Sequence, residues 1–284
     1  MTIDYRRLMD WPIPDAQQVY TERDCILYAL GIGFGAAPLD PRHLRHCYER
    51  DLAAFPSMAV VLATGGPWAR DSDTGIDYAK VVHAEQSFAL HRPLPVRGTV
   101  RSRSRVVEVV DKGEGRGAIV AAERELFIDG DAAPTATLTS SLFCRANGGF
   151  GGPAATARKR DPMPDRAPDA VGCIAVAPHL ALTYRLSGDH NELHADPDVA
   201  RAAGFRAPIL HGLCSFAIAL RSVAESLDIA EQAIAGAGVR FTAPVYPGET
   251  LETAVWREAE GVRFRTRAIE RDIVVLDLGN VAEN

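Results

Sequence analysis

Apolar and polar residues alternate along several short segments of the chain, and these segments fall into two series. The first series follows RPLPVRGTV (92–100) and comprises RSRSRVVEVVDKG, RGAIVAAERELFIDG and TATLTSSLFCR. The second series follows APVYPGETL (243–251) and comprises ETAVWREAEG, VRFRTRAIER and IVVLDLGN. A period of two, with turn residues between the runs, is typical of an antiparallel sheet. The two Pro–Gly segments lie roughly 150 residues apart, which indicates a duplicated domain.

The second half also contains a pattern that is typical of a helix. In HGLCSFAIALRSVAESL (211–227) the apolar residues recur at steps of three and four, so they share one face. A helix of this kind needs a sheet to cover that face. The equivalent stretch of the first half contains Pro56 and the pair Gly65–Gly66, which interrupt a helix. Nearer the start, Thr21 and Asp24 predict a capped helix that runs into CILYALGIG.

The clearest break in these patterns is residues 145–170, where Gly, Pro and Ala dominate and charged residues follow. Glycine raises the entropy of the unfolded backbone and proline removes a ladder donor, so a packed element is not expected there. We predict an N-terminal domain over residues 1–145, a linker over 146–170 and a C-terminal domain over 171–284. One helix beside an antiparallel sheet indicates the α+β class.

Composition excludes several classes of protein. A formal net charge of −6 lacks the basic footprint of a nucleic-acid binder. No apolar run approaches the roughly 20 residues of a membrane helix, and no secretory signal or peroxisomal tripeptide is visible. The five cysteines form no CxxC pair, so we expect a reducing, cytoplasmic location without disulfides. The alternating Arg101, Arg103 and Arg105 favour a solvated strand face over a patch for an acidic ligand.

Candidate chemistry is concentrated in YRLSGDHNELHADPDVARAAGFRAPILHGLCSF (184–216). Gly188 permits a sharp turn after what we interpret as the end of a strand, and Asp189, Asn191 and His194 follow within this turn. An acid, an amide and an imidazole in one turn are able to hold a water molecule and remove its proton. Gly212 begins the predicted main helix, where unpaired amides suit a carbonyl that gains negative charge.

Spacing alone leaves two other interpretations of this segment open. Asp and Asn often bond their own backbone in an ordinary turn, and His194 could be a structural histidine. His190 and His194 lie four residues apart, which also suits a metal site. The zinc-protease pattern, however, requires Glu directly after the first His, and Asn191 stands there. His43 and His46 have a similar spacing, for which we expect no partner acid nearby, and we predict no metal.

The pair YRLSGDHNELHADP and GFRAPILHGLCSF resembles the signature of the MaoC-like, (R)-specific 2-enoyl-CoA hydratases, also called hydratase 2. Over roughly residues 15–280 the chain is similar to the hydratase unit of peroxisomal multifunctional enzyme type 2. The first half matches through RDCILYALGIG, HAEQSFALHRPLP, VVDKGEGRGA and FCRANGGFGG, in this order. The resemblance implies a double hot-dog fold, in which each half is a curved sheet around a helix. It also implies that the first helix is degenerate, which makes room for a bulky acyl chain.

The same resemblance implies reversible hydration of a trans-2-enoyl-CoA to an (R)-3-hydroxyacyl-CoA. Carried over by motif position, Asp189 and His194 hold and activate the water, and Asn191 helps to place it. The amide of Gly212 would bind the thioester oxygen. Further residues match positions that line the substrate or CoA site, namely His83, Ala84, Lys112, Gly188 and Phe241.

These assignments leave alternatives of other classes. Lys112 suits a CoA phosphate and Phe241 an apolar part of the ligand, although a turn lysine is usually solvated and a strand phenylalanine usually core. His190 and Glu192 stand where the family commonly has Trp and Pro, so straight, branched, sterol side-chain and dicarboxylic acyl groups all stay open. An acyl-CoA thioesterase and a non-catalytic acyl-CoA-binding protein are alternatives on the same fold. We expect no cofactor, no nucleic-acid or membrane partner, and a homodimer.

Overall fold

Antiparallel strands form one sheet in the computed structural model, which describes residues 2–153 and 161–284. Within these residues the strands are β1 (Ala16–Tyr20), β2 (Val81–Leu90), β3 (Gly98–Asp111), β4 (Ala118–Ile128), β5 (Ala136–Cys144), β6 (Ala170–Ala175), β7 (Ile234–Phe241), β8 (Thr250–Glu258), β9 (Gly261–Ala268) and β10 (Ile273–Glu283). Their order across the sheet is β1-β3-β4-β5-β2-β7-β10-β9-β8-β6. The predicted alternating segments all lie on these strands.

The sheet consists of two equivalent halves joined by the antiparallel pair β2–β7. Outward from this junction, the first half runs β2, β5, β4, β3, β1 and the second half runs β7, β10, β9, β8, β6. Each strand of the second half therefore occupies the place of the strand five numbers lower in the first. This order confirms the predicted α+β double hot-dog fold and the duplication that the Pro–Gly segments indicated.

Helix α6 (Gly212–Leu227) packs on the sheet of the second half, as its apolar periodicity predicted. Phe216 and Leu220 on this helix are completely buried. Phe216 also contacts Phe88 of β2, with ring centroids 6.1 Å apart, so the helix reaches the junction between the halves. Fully burying a side chain of this size contributes about 1.5–3 kcal/mol relative to exposing it. Helix α6 is therefore the centre of the main hydrophobic core.

The first half has a short 3₁₀ turn (Pro56–Val61) where the second half has its long helix. Its residues are buried against β2, β5 and α6. The backbone then takes positive φ at Ala63, Gly65 and Gly66, which a continuing right-handed helix does not allow. The predicted degeneracy of the first helix is confirmed.

Five further α-helices occur within the described residues, namely α1 (Tyr5–Met9), α2 (Glu22–Gly31), α3 (Pro41–Cys47), α4 (Leu180–Tyr184) and α5 (Pro197–Ala202). The predicted cap of α2 is present, because the Thr21 amide donates to the Asp24 carboxylate at 2.8 Å. Our interpretation of residues 179–188 as the end of a strand is wrong. Tyr184 is fully buried on α4, and a Cβ at Gly31 would lie only 3.1 Å from its Cα. This close approach of α2 and α4 favours helix over the local strand pattern.

Several smaller predictions concern the surface and the linker. Arg101, Arg103 and Arg105 are exposed on one strand face, as the alternation indicated, and Arg105 pairs with Glu123 at 2.6 Å. The cysteines within the described residues are free thiols. Among those residues no helix is both long and apolar enough to cross a membrane. Part of the predicted linker, residues 154–160, lies outside the described residues, and the domain limits stay a prediction.

Candidate active site

The loop from α4 to α5 carries most of the predicted catalytic residues. Gly188 ends the helical turn at φ +116°, a conformation that a residue with a side chain rarely adopts. The amide of Asn191 then donates to the Asp189 carboxylate at 3.2 Å, and the amide of Leu193 donates to the Asn191 side chain at 3.2 Å. These are Asx turns, in agreement with the interpretation that Asp and Asn bond their own backbone here. They hold the loop in shape and leave Asp189 partly exposed.

His194 is buried at the end of this loop. Its Nδ1 lies 2.9 Å from the carbonyl oxygen of Ile209, which accepts only if Nδ1 carries the proton. The Nε2 atom is then the unprotonated ring nitrogen. Burial lowers the pKa of His194, so the imidazole is neutral at physiological pH. A neutral imidazole with a free Nε2 is the form that a general base requires.

His211 is a functional candidate that the sequence reasoning missed. Its ring stacks on that of His194, with centroids 3.7 Å apart and planes inclined by 26°. Its Nε2 lies 3.2 Å from the carbonyl oxygen of Asp189, and its Nδ1 is buried without a partner among the described residues. Burial, reinforced by His194, lowers the pKa of His211 to about 4. The available signal was its position directly before Gly212 in HGL.

Asp189, His194 and His211 converge on one point, since one ligand-type atom from each lies within 4.8 Å of the others. This donor set is of a kind that holds metals. A metal, however, needs both imidazole lone pairs aimed at it from about 2.0–2.1 Å, each in the plane of its ring. The His194 and His211 rings are stacked with an inclination of only 26°, so their nitrogen lone pairs run nearly parallel and do not meet at one ion. His190 is exposed and lies outside this cluster, so the arrangement fits a water molecule better than an ion.

Gly212, Phe241 and His83 form a second wall of the site. A Cβ at Gly212 would meet the Phe241 ring at 3.2 Å, so glycine allows the strand and helix to approach this closely. Phe241 in turn contacts His83 of the first half, with ring centroids 4.9 Å apart. The first amides of α6 have no acceptor within the helix. Gly212 therefore offers a backbone donor at the boundary between the two halves.

The remaining predicted residues lie along the same end of the sheet. Ala84 is the extra residue of a β-bulge between His83 and Glu85, which re-aims the His83 side chain. Lys112 is exposed, and its Nζ lies 5.9 Å from the ring of Phe143. Phe143 pairs with Val82, whose side chain points to the face of the sheet opposite to that of His83, so the structure does not bring Lys112 together with the other site residues.

Buried polar atoms without hydrogen-bond partners gather around this site. Among the described residues such atoms include His83 Nε2, Tyr184 Oη, Arg185 Nε, Ser187 Oγ and His211 Nδ1. A buried polar atom without a partner costs about 1–3 kcal/mol, and native proteins keep few of them. These atoms belong to α4 and the loop after it, to the residue before α6 and to β2, and they indicate a place where a polar ligand and water supply the missing partners.

Two other features are separate from this site. A cavity of about 390 Å³ lies near Leu90 and Ile234, at the opposite ends of β2 and β7, and no predicted catalytic residue lines it. The imidazoles of His43 and His46 face Glu225 at 3.6 Å and Glu231 at 3.7 Å. The expectation of no partner acid near these histidines is therefore wrong in three dimensions. Both are buried, and they tie α3 to the second half.

Comparison with known proteins agrees with this geometry. The description "MaoC like domain" matches residues 159–277, and "MFE-2 hydratase 2 N-terminal domain" matches residues 19–146. Enoyl-CoA hydratase ChsH3 of Mycobacterium tuberculosis is 34% identical, over 97% of both chains. A MaoC-like dehydratase from Phytophthora capsici superposes with a TM-score of 0.87 at 32% identity, over 99% of both chains.

A longer relative shows the same unit inside a larger protein. Peroxisomal multifunctional enzyme type 2 of Drosophila melanogaster superposes with a TM-score of 0.81 at 32% identity. The match covers 95% of this chain and 48% of that one. The chain belongs to the MaoC-like enoyl-CoA hydratase family of hydro-lyases, with the double hot-dog fold.

Proposed function

We propose that this protein catalyses the reversible hydration of a trans-2-enoyl-CoA to an (R)-3-hydroxyacyl-CoA, with Asp189 and His194 activating the water. The observation that carries the proposal is the convergence of a partly exposed carboxylate and a buried neutral imidazole beside the start of α6. A base and an oxyanion donor on neighbouring elements are what addition of water to a conjugated thioester requires.

The proposed reaction divides between these groups as follows. Asp189 and His194 hold the water, and one of them accepts its proton while the water oxygen bonds to C3. The electron pair of the double bond moves toward the thioester oxygen, which becomes an enolate oxygen. The amide of Gly212 donates to this oxygen at the positive end of α6. The group that accepted the water proton then returns it to C2 from the same side, which restores the catalyst and changes no net oxidation state.

The supporting residues divide between positioning and binding. Asn191 caps the 3₁₀ turn that ends at His194, and so it holds the backbone that positions this base. In our proposal its side chain also helps to place the water. Gly188 permits the turn, while His83, Ala84 and Phe241 line the boundary between the halves. In our proposal Lys112, at the same end of the sheet, binds a CoA phosphate as a point charge.

The test is loss of enoyl-thioester absorbance on a panel of trans-2-enoyl-CoAs from crotonyl to long-chain and branched, with an (R)-specific coupling enzyme for the product. We expect Asp189→Asn and His194→Gln to lower kcat by at least about 100-fold, the usual contribution of a general base. His190→Gln, an exposed neighbour on the same loop, is the matched control and should retain activity. Unchanged hydration by Asp189→Asn would overturn the proposal, and release of free CoA thiol would favour the thioesterase instead.

A further inference from the structure

Arg124 lies on the concave face of the first half, on the side of the sheet that faces α6. Ladder pairing sets it in one row with Ser104 of β3 and Leu138 of β5, and the row continues to Phe88 of β2. Residues paired directly across antiparallel strands point to the same face. Phe88 contacts Phe216 of α6, so this is the face on which the second half carries its helix.

The charge of Arg124 has no acidic partner among the described residues. One terminal nitrogen, Nη2, donates to the Val60 carbonyl oxygen at 2.7 Å, while Nε is buried and has no hydrogen-bond partner within residues 2–153 and 161–284. The neighbours Glu123 and Glu125 alternate onto the opposite face, where Glu123 pairs with Arg105. Burial lowers the pKa of the Arg124 guanidinium to about 10, with no acid acting against it. Arg124 as a whole is half-buried, and a charge held partly out of water without an ion partner is unfavourable unless a ligand compensates it.

The position of Arg124 relates it to the proposed catalytic loop. The 3₁₀ turn that accepts its hydrogen bond also faces this loop, because the Val61 carbonyl oxygen is 3.9 Å from where a Cβ would stand at Gly188. His83 shares the concave face with Arg124 but lies two strands away and four ladder positions along. Strand spacing and rise place the two Cα atoms roughly 16 Å apart. An acyl chain that extends from the thioester along this face would end near Arg124.

We propose that Arg124 binds a carboxylate at the far end of the acyl group, so that the preferred substrates are trans-2-enoyl-CoAs whose acyl chain ends in a carboxylate. This rests on the proposed hydratase function and names its substrate class. A guanidinium pairs with a carboxylate through two parallel hydrogen bonds, and Arg124 has Nε and further donors available. Holding the Val60 carbonyl, in contrast, needs one donor and no charge.

The first experiment compares carbon-matched pairs of trans-2-enoyl-CoAs, each with a terminal methyl or a terminal carboxylate, across short to medium chain lengths. The readout is the ratio of kcat/KM for the two members of each pair. At one or more lengths we expect the wild type to favour the carboxylate. We expect Arg124→Gln to lower that ratio about 10- to 100-fold, the usual contribution of a hydrogen bond to a charged group. Arg124→Lys keeps the charge but loses the planar guanidinium, so its ratio should lie between those of the wild type and Arg124→Gln.

Arg103→Gln is the matched control, because Arg103 is exposed on the opposite face of the neighbouring strand. Its ratio should equal that of the wild type. A wild-type ratio that never favours the carboxylate, or an Arg124→Gln ratio equal to the wild-type ratio, would overturn the inference. If Arg124→Gln lowers kcat/KM equally for the methyl and carboxylate substrates, the inference is also overturned, because that result shows only a structural role.

A second experiment separates this inference from the hydratase proposal. Calorimetric binding of saturated acyl-CoAs, again in methyl and carboxylate pairs, requires no chemistry. Tighter binding of the carboxylate form by the wild type, abolished in Arg124→Gln, would support the inference even if no enoyl-CoA is hydrated. Equal binding of both forms by the wild type would refute it whether or not hydration occurs.

Discussion

Replacing Gly212 by alanine should damage activity while leaving the fold almost unchanged. The added Cβ would lie 3.2 Å from Phe241 Cε1 and 3.3 Å from Cδ1, a few tenths of an ångström inside ordinary carbon–carbon contact. Alanine at the first residue of a helix partly offsets this strain through its better helix propensity. We therefore expect the free energy of unfolding to change by less than about 1 kcal/mol.

The effect on catalysis should be much larger. An oxyanion donor must lie 2.7–3.1 Å from the oxygen that it stabilises, and a methyl group beside the Gly212 amide obstructs that approach. Losing one such donor costs about 100- to 1,000-fold in kcat, and this is the loss that we expect for Gly212→Ala. The assay is hydration of crotonyl-CoA, with thermal unfolding of the same preparation as the measure of stability.

Phe241→Leu in the Gly212→Ala background separates two causes of that loss. If the methyl group acts only by displacing the Phe241 ring, the smaller leucine should restore most of the activity. If the methyl group blocks the thioester oxygen directly, the double variant should stay as slow as Gly212→Ala alone. An alanine variant with unchanged kcat/KM would refute the assignment of this amide as the oxyanion donor.

Three further outcomes follow from the same structure. Burial lowers the pKa of His194 below 6.5, so kcat/KM should be level above that pH and fall only below it; a limb centred above pH 7 would contradict a neutral base. The pKa values of His83 and His211 are each about 4, against 6.5 in an unfolded chain. The unfolded state therefore binds more protons between these pH values. Stability should be full well above pH 6.5 and fall by about 3 kcal/mol for His83 as the pH drops toward 4, with a loss in the same direction for His211, which denaturant titrations at several pH values would measure. Phe216→Ala, at a fully buried position, should cost about 3–5 kcal/mol of unfolding free energy, and a cost under 1 kcal/mol would contradict its place in the core.

Local patterns were sufficient for most of the fold. Alternation placed β3, β4, β5, β8, β9 and β10, and the three- and four-residue steps placed α6, because both periods arise from backbone geometry that does not depend on distant residues. The cap at Thr21 was predictable for the same reason. The interpretation of residues 179–188 as a strand end failed, since burial of Tyr184 against α2 outweighs a weak local preference.

The candidate site was predictable only in part. Asp189, His194 and Gly212 stood out because their residue types suit acid–base and oxyanion chemistry and lie within a short stretch of chain. His211 was missed, because its role depends on stacking against His194, which the turn geometry between them decides. The sequence likewise offered no reason to separate Arg124 from its neighbours in ERELF (123–127), where it stands between two glutamates.

The sequence by itself determined the duplicated strand pattern, the single long helix of the second half and the broken helix of the first. It also determined which stretch carries an acid, an amide and an imidazole. Only the tertiary structure decided that His83 of the first half meets Phe241 of the second, and that Arg124 bonds the Val60 carbonyl oxygen with no acidic partner among the described residues. The physical reason is the distance along the chain over which each effect acts. Periodicity and capping act within a few residues, whereas burial and the presence or absence of a charge partner depend on elements that are distant in the chain.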